Sequence, residues 1–127
     1  MVSVDTNLLV RIATKDDAKQ ADDANRFITG GAWVSHLVLA ETVWVLGTGY
    51  DRTHSELVRA VEIFMSHEHL IIEEPEVVKA ALSLYAENVK ISFSDCLILE
   101  IARKAGHLPL GTFDRSLSKI DGAKRVI

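Results

Sequence analysis

The sequence has a single cysteine, only two prolines in 127 residues and no long hydrophobic run. Cys96 cannot form an internal disulfide, which fits a reducing cytosol, so we expect a cytoplasmic protein whose one thiol is a small buried hydrophobic group. No apolar segment reaches the roughly 18 residues of a membrane span, so none is expected. The first residues, MVSVDTNLLVR, place no basic segment before an apolar one, so no secretory signal is expected either.

The chain also lacks an excess of positive charge, since its formal net charge is −4. The total hides an uneven distribution. From position 103 onward there are six basic and two acidic residues, which gives this segment +4 and the rest of the chain −8. Charge alone favours an ordinary solvated basic surface over a phosphate-binding one, and both interpretations stay open.

Short β-branched segments alternate with segments of helical periodicity. The predicted strands are MVSV, AWVS, LIIEE, LPLGTF and AKRVI, and the predicted helices are TNLLVRIAT, DDAKQADDANRFITGG, HLVLAETVWVLGTG, THSELVRAVEIFMSH, PEVVKAALSLYAENV and SFSDCLILEIARKAG. Thr53 with Glu56 has the spacing of a capping box, Pro75 suits a first helical residue, and Gly106 suits a helix end. The alternation predicts an α/β fold over residues 1–127, with a mainly parallel sheet of four or five strands covered on both faces.

Four carboxylates are candidates for a site at the sheet edge, where ligands of such folds bind. Asp5 and Asp114 follow predicted strands, and Asp95 lies near the start of a helix. Each aspartate also has an ordinary explanation: Asp5 as a helix cap, Asp95 as the acid of a capping pair with Ser92, and Asp114 as the cap of a short turn through DRSL.

Glu41 is harder to explain, because it interrupts the apolar stretch VLAETVWVL and no lysine or arginine lies between Arg26 and Arg52. It either points out of the core or faces a positive group that the chain does not supply. Carboxylates that converge without basic partners repel one another, and Mg²⁺ or Mn²⁺ resolves this. We therefore predict a metal site suited to phosphoryl chemistry, with Asn7, Ser94 and Thr112 orienting water or the ligand carboxylates.

Other patterns are weaker. Trp33 and Trp44 are most simply core residues, although Trp44 could line a groove for a partner helix. The five histidines are scattered and lack zinc-site spacing. A phosphotransferase using Asp5 as nucleophile would need a second acid two residues later, where Asn7 stands, and a receiver-like module would need a late lysine after a strand.

Four motifs, VDTNLLVR, VLAETVWVL, FSDCLILEIAR and LGTFDRSL, resemble in order and spacing those of the PIN-domain ribonucleases, in particular the VapC toxins of toxin–antitoxin pairs. The resemblance covers essentially the whole chain. It implies a single PIN domain with a three-layer α/β/α fold and an Mg²⁺- or Mn²⁺-dependent endoribonuclease. It also implies a homodimer that cuts transfer or ribosomal RNA and is silenced by a VapB-like antitoxin.

The resemblance also assigns residues. It makes Asp5, Glu41, Asp95 and Asp114 the four family acids, with Asp5 and Asp95 as the principal metal ligands. Some relatives carry another acid at the position of Ser92. This departure argues against a second tightly bound metal ion but not against the first. The resemblance does not assign RNA contacts; the candidates, Arg11, Arg115 and Lys119, are basic residues, and the last two belong to the basic C-terminal segment. The alternative is a catalytically weak PIN-fold module that acts through protein or RNA contacts, although a degenerate copy would be expected to have lost at least one of the four acids.

Overall fold

The computed structural model describes all residues from Met1 to Ile127, and it contains five strands and seven helices in alternating α/β order. They are β1 (Val2–Ser3), α1 (Thr6–Thr14), α2 (Ala18–Phe27), β2 (Ala32–Val34), α3 (His36–Gly49), α4 (His54–Ser66), β3 (Leu70–Ile72), α5 (Pro75–Glu87), α6 (Phe93–Ala105), β4 (Leu110–Thr112), α7 (Arg115–Ser118) and β5 (Ala123–Arg125). The chain divides into two compact units, Met1–Glu73 and Glu74–Ile127. The single-domain organisation of residues 1–127 stays a prediction.

The first unit is built on three parallel strands in the order β1–β2–β3. Because side chains alternate along a strand, Val34 and Ile72 point into the core while their neighbours Trp33 and Ile71 lie on the opposite, partly exposed face. Helices α1, α3 and α4 complete the core with fully buried side chains, among them Leu9, Leu39, Val61 and Phe64.

The prediction that both tryptophans lie in the core is wrong. Trp33 is 40% exposed, because it occupies the outward position of β2. Trp44 is 67% exposed, and it lies on the outer face of α3 with Leu37, which is exposed as well. Residues seven apart share a helix face, so these two side chains form an apolar stripe with Glu41 between them.

The second unit consists of the helix pair α5–α6, the two parallel strands β4 and β5, and the single-turn helix α7. Val78, Ala81 and Leu99 are fully buried in the helix pair. Tyr85 and Phe93 pack edge to face, with ring centroids 5.7 Å apart. This arrangement favours aromatic pairs because the positive ring edge meets the negative ring face.

The parallel α/β architecture predicted from the sequence is confirmed. The hydrogen bonds do not join the strands into one sheet of four or five. The five strands pair by hydrogen bonds in two groups, β1–β2–β3 and β4–β5. Each strand is only two or three residues long, so each can form few ladder hydrogen bonds.

Local signals set most of the helix ends. The capping box of Thr53 and Glu56 is formed, Pro75 is the first residue of α5, and Gly106 ends α6 with a positive φ of 82°. Helix α2 begins at Ala18, two residues after the predicted start, and Asp17 is its cap. Helix α3 runs through both of its glycines to Gly49. None of the helices combines the length and the hydrophobicity required to traverse a bilayer.

A buried acid and an arginine connect α6 to the segment before β5. Glu100 is buried, and its carboxylate accepts from Nε of Arg103 at 3.2 Å and 3.3 Å. The same guanidinium donates through Nη2 to the carbonyl of Asp121 at 2.7 Å. Gly122 follows with a φ of +96°, and a Cβ atom there would lie 2.9 Å from Nη2 of Arg103. The arginine therefore fills the space beside this glycine.

Candidate functional site

Asp5 occupies the N-cap of α1, just after β1. Its Oδ1 accepts a hydrogen bond from the backbone N–H of Leu8 at 3.0 Å, so the capping explanation is correct. The residue is exposed, and its second carboxylate oxygen has no hydrogen-bond partner in the protein. Capping therefore uses one oxygen and leaves the other free to bind a cation.

The structure answers the question raised by Glu41. The side chain is exposed on α3, and its Oε1 accepts a short hydrogen bond from the hydroxyl of Thr6. Thr6 is the buried first residue of α1 and directly follows Asp5. Glu41 therefore points out of the core towards the N-terminal end of α1, which Asp5 caps, and keeps Oε2 free.

Thr6 is a site residue that the sequence analysis missed. A buried hydroxyl requires an acceptor, and here the acceptor lies 35 positions away. The only sequence signal was a threonine beside Asp5, and it does not identify so distant a partner.

Asp95 is the third residue of α6, and the helix cap is Ser92. The hydroxyl of Ser92 accepts from the N–H of Asp95 at 3.1 Å, but the Asp95 carboxylate forms no return bond. The predicted reciprocal capping pair is therefore only half correct, because the aspartate side chain is one methylene shorter than the glutamate of a capping box. The partial positive charge at the helix N-terminus favours this free carboxylate.

Cys96, the next residue, is buried and free. Burial raises the pKa of its thiol to about 11, and the negative charges of Asp95 and Glu100 add to this effect. The thiol is therefore protonated at neutral pH, which confirms the expectation of a small, unreactive hydrophobic group.

Asp114 lies two residues past β4 and caps α7, as its ordinary explanation predicts. Its Oδ1 accepts from the N–H of Ser116 at 2.9 Å, and its own N–H donates to Oγ1 of Thr112 at 3.0 Å. Thr112 thus positions the backbone of Asp114. Ser94 contacts the hydroxyl of Ser92 at 3.1 Å.

Arg11 is engaged in a network that the sequence did not indicate. Its guanidinium donates to Gln20, to Asp16 at 3.2 Å and to the Tyr50 hydroxyl at 3.1 Å. The hydrogen bond from Tyr50 is the main cause that lowers the pKa of Asp16. These contacts give Arg11 a structural role between α1, α2 and the end of α3, and its contact with RNA stays a prediction.

The remaining candidates, Asn7, Arg115 and Lys119, are exposed side chains. Asn7 is exposed beside the groove between α1 and α2, and its side chain makes no hydrogen bond. Arg115 and Lys119 are exposed, and neither takes part in the ion pairs that engage Arg103 and Lys104. Both are free to contact a phosphate, and this role also stays a prediction.

Within the first unit the structure brings Asp5 and Glu41 to the same end of α1. Within the second, Asp95 and Asp114 each lie at the start of a helix. No three Asp, Glu, His or Cys side chains of either unit are close enough to hold a metal ion, and the convergence of all four acids stays a prediction.

The chemistry of the four acids nevertheless suits a divalent cation. Asp5, Glu41, Asp95 and Asp114 each retain at least one carboxylate oxygen without a hydrogen bond. None of them pairs with a lysine or arginine, although six other acidic residues of the chain do. Free carboxylate oxygens are the donors that Mg²⁺ and Mn²⁺ prefer.

Two substitutions separate the capping role of Asp5 from its charge. Asp5→Ala removes the cap and should lower the free energy of unfolding by about 1 kcal/mol. Asp5→Asn keeps a capping oxygen and should leave stability in chelator unchanged or slightly higher, because it removes a negative charge from the end of α1 that Glu41 also contacts. Urea denaturation of both variants measures this. An asparagine variant as unstable as the alanine variant would contradict the capping assignment.

The family model of the PIN domain matches residues 2–123, almost the whole chain. No curated protein and no solved structure gives a significant match. The match confirms the predicted fold class and the PIN-domain part of the resemblance, and PIN domains are typically nucleases, which supports a hydrolase function at that coarse level. The chain belongs to the PIN domain family.

Proposed function

We propose that this protein is an Mg²⁺- or Mn²⁺-dependent endoribonuclease that hydrolyses RNA phosphodiester bonds. The observation that carries the proposal is the contact between Thr6 and Glu41. The contact fixes Glu41, which has no basic partner, on the first residue of α1. Asp5, the residue before it, follows a parallel strand. Ligands of α/β folds bind at such strand ends.

By the match to the family motifs, Asp5 and Asp95 would be the principal ligands of the proposed cation, and Asp114 and Glu41 would complete the acidic set. When bound, a divalent cation lowers the pKa of a water molecule and neutralises phosphate oxygens. Glu41 suits a proton acceptor, because Thr6 occupies only one of its oxygens and fixes the side chain.

Three polar side chains orient the acids or water molecules in this scheme: Asn7, Ser94 and Thr112. Thr112 has the clearest support, because its hydroxyl accepts from the N–H of Asp114. Asn7 follows Thr6 at the start of α1 and has a free amide. Ser94 directly precedes Asp95 and contacts the cap of α6.

We further propose that the protein acts in the cytoplasm as the toxin of a VapBC-type pair, as a homodimer that a VapB-like antitoxin inhibits, with transfer or ribosomal RNA as its substrate. The four motifs that resemble the VapC toxins support this proposal. The exposed apolar stripe of Leu37 and Trp44 is consistent with a protein that assembles with other chains.

Removal of metal tests the enzymatic proposal. Incubation with a chelator should abolish cleavage of a structured RNA, and excess Mg²⁺ or Mn²⁺ should restore it. Ca²⁺, which is larger and coordinates more flexibly, is the matched control and should restore little. Cleavage that persists in chelator would contradict metal dependence. No cleavage under any condition would favour the PIN-fold binding module instead.

A further inference from the structure

The second unit contains a cleft of about 290 Å³ that none of the four candidate acids lines. One wall is the turn between α5 and α6, with Val89, Lys90 and Ile91, and the other is the end of α7, with Lys119 and Ile120. We propose that this cleft binds one nucleotide of the RNA substrate, with its phosphate between Lys90 and Lys119. The inference rests on the proposed ribonuclease function and adds a binding site to it.

The charges of the cleft favour an anion. Lys90 and Lys119 are both exposed, and neither forms an ion pair, whereas Arg103 and Lys104 of the same unit are paired with acids. Glu87 is the only carboxylate in the lining, so two positive charges face one negative charge. The two lysines therefore remain available to neutralise a phosphate.

The cleft also offers apolar surface, and two residues of its wall have backbone N–H groups without a backbone acceptor. Val89 and Ile120 line it, and Ile91 closes it as a buried residue. The backbone N–H groups of Val89 and Lys90 donate to no backbone carbonyl. A free phosphate would use only the charge of the lysines, whereas a nucleotide also buries a base or ribose against the apolar wall.

The position of the cleft in the chain points to a nucleotide near the scissile phosphate. Lys90 precedes Asp95 by five residues, and Lys119 follows Asp114 by five residues. The turn that carries Lys90 leads directly into the capped start of α6, and α7 connects Asp114 to Lys119. Both walls are therefore anchored to the elements that carry the two acids of this unit.

Binding of a single-stranded RNA oligonucleotide of mixed sequence, measured in chelator so that no cleavage occurs, tests the proposal. Lys90→Gln and Lys119→Gln should each raise Kd by about three- to tenfold at low salt and reduce the slope of log K against log salt by about 0.7. Glu87→Gln should lower Kd, because it removes the opposing charge.

Lys79→Gln is the matched control, because Lys79 is an exposed lysine of α5 without an ion pair and lies outside the cleft. It should change Kd less than twofold, and thermal unfolding should show that all four variants are folded. If Lys79→Gln and Lys90→Gln changed Kd equally, the effect would come from general surface charge and not from the cleft. This result would overturn the proposal.

Two further outcomes separate this site from its alternatives. If Lys90→Gln weakened binding of a poly-glutamate peptide but not of RNA, the cleft would bind an acidic protein segment and the proposal would be wrong. If the wild-type protein cleaved no RNA but the lysine variants still lost RNA affinity, the proposed ribonuclease function would be wrong. The proposal that the cleft binds a nucleotide would still be supported. Metal-dependent cleavage with unchanged binding by the lysine variants would overturn the cleft alone.

Discussion

Glu41→Gln should lower the single-turnover rate of RNA cleavage by about 10²- to 10⁴-fold while leaving RNA affinity largely unchanged. Glutamine keeps the length of the side chain and an oxygen that can accept the hydrogen bond of Thr6. It removes the negative charge and the ability to take a proton. The expected loss is therefore chemical and not structural.

The measurement is single-turnover cleavage in saturating Mg²⁺, together with binding of the same RNA in chelator. Glu68→Gln is the matched control, since Glu68 is an exposed acid after α4 and its replacement makes the same charge change away from Asp5. Cleavage by Glu41→Gln at the wild-type rate would show that Glu41 has no catalytic role.

Leu99→Ala should lower the free energy of unfolding by about 2–5 kcal/mol, because it removes apolar contacts and leaves a cavity. Leu99 is 0% exposed in α6, the helix whose third residue is Asp95. Its neighbour Ile98 is 49% exposed, so Ile98→Ala deletes a side chain of the same size from the outer face of that helix and should cost about 1 kcal/mol or less.

Urea denaturation of the two alanine variants, with the slope checked for two-state behaviour, measures the difference. A similar loss at both positions would contradict the assignment of the buried face of α6. If Leu99→Ala remains folded at the assay temperature, its cleavage rate should stay near that of the wild type, because Leu99 touches no substrate in the proposed mechanism.

Much of the fold was predictable because its signals are local. Helix α1 begins and ends as predicted, since Asp5 provides the cap. Helix α4 follows from its capping box and α5 from Pro75. Such signals act within a few residues and can be recognised without the tertiary structure.

The missed features depend on partners that are distant in sequence. Which strands pair is decided across the chain, and very short strands carry little information about it. Helix α3 is apolar around most of its circumference, so its sequence does not show which face is exposed to solvent. Only the packing of α3 places Trp44 on the exposed face. The capping roles of Asp5 and Asp114 were predictable for the same local reason as the helices. The contact of Glu41 with Thr6 was not, because it joins two helices.

The placement of Arg103 against Gly122 has a consequence for how the sequence can vary. The guanidinium occupies the space that a Cβ atom at position 122 would need, and the positive φ there independently disfavours other residues. A larger residue at 122 would displace the arginine from the carbonyl of Asp121 and weaken its contact with the buried Glu100. Among descendants of this sequence, we therefore expect positions 103 and 122 to change together, with glycine retained wherever the arginine is.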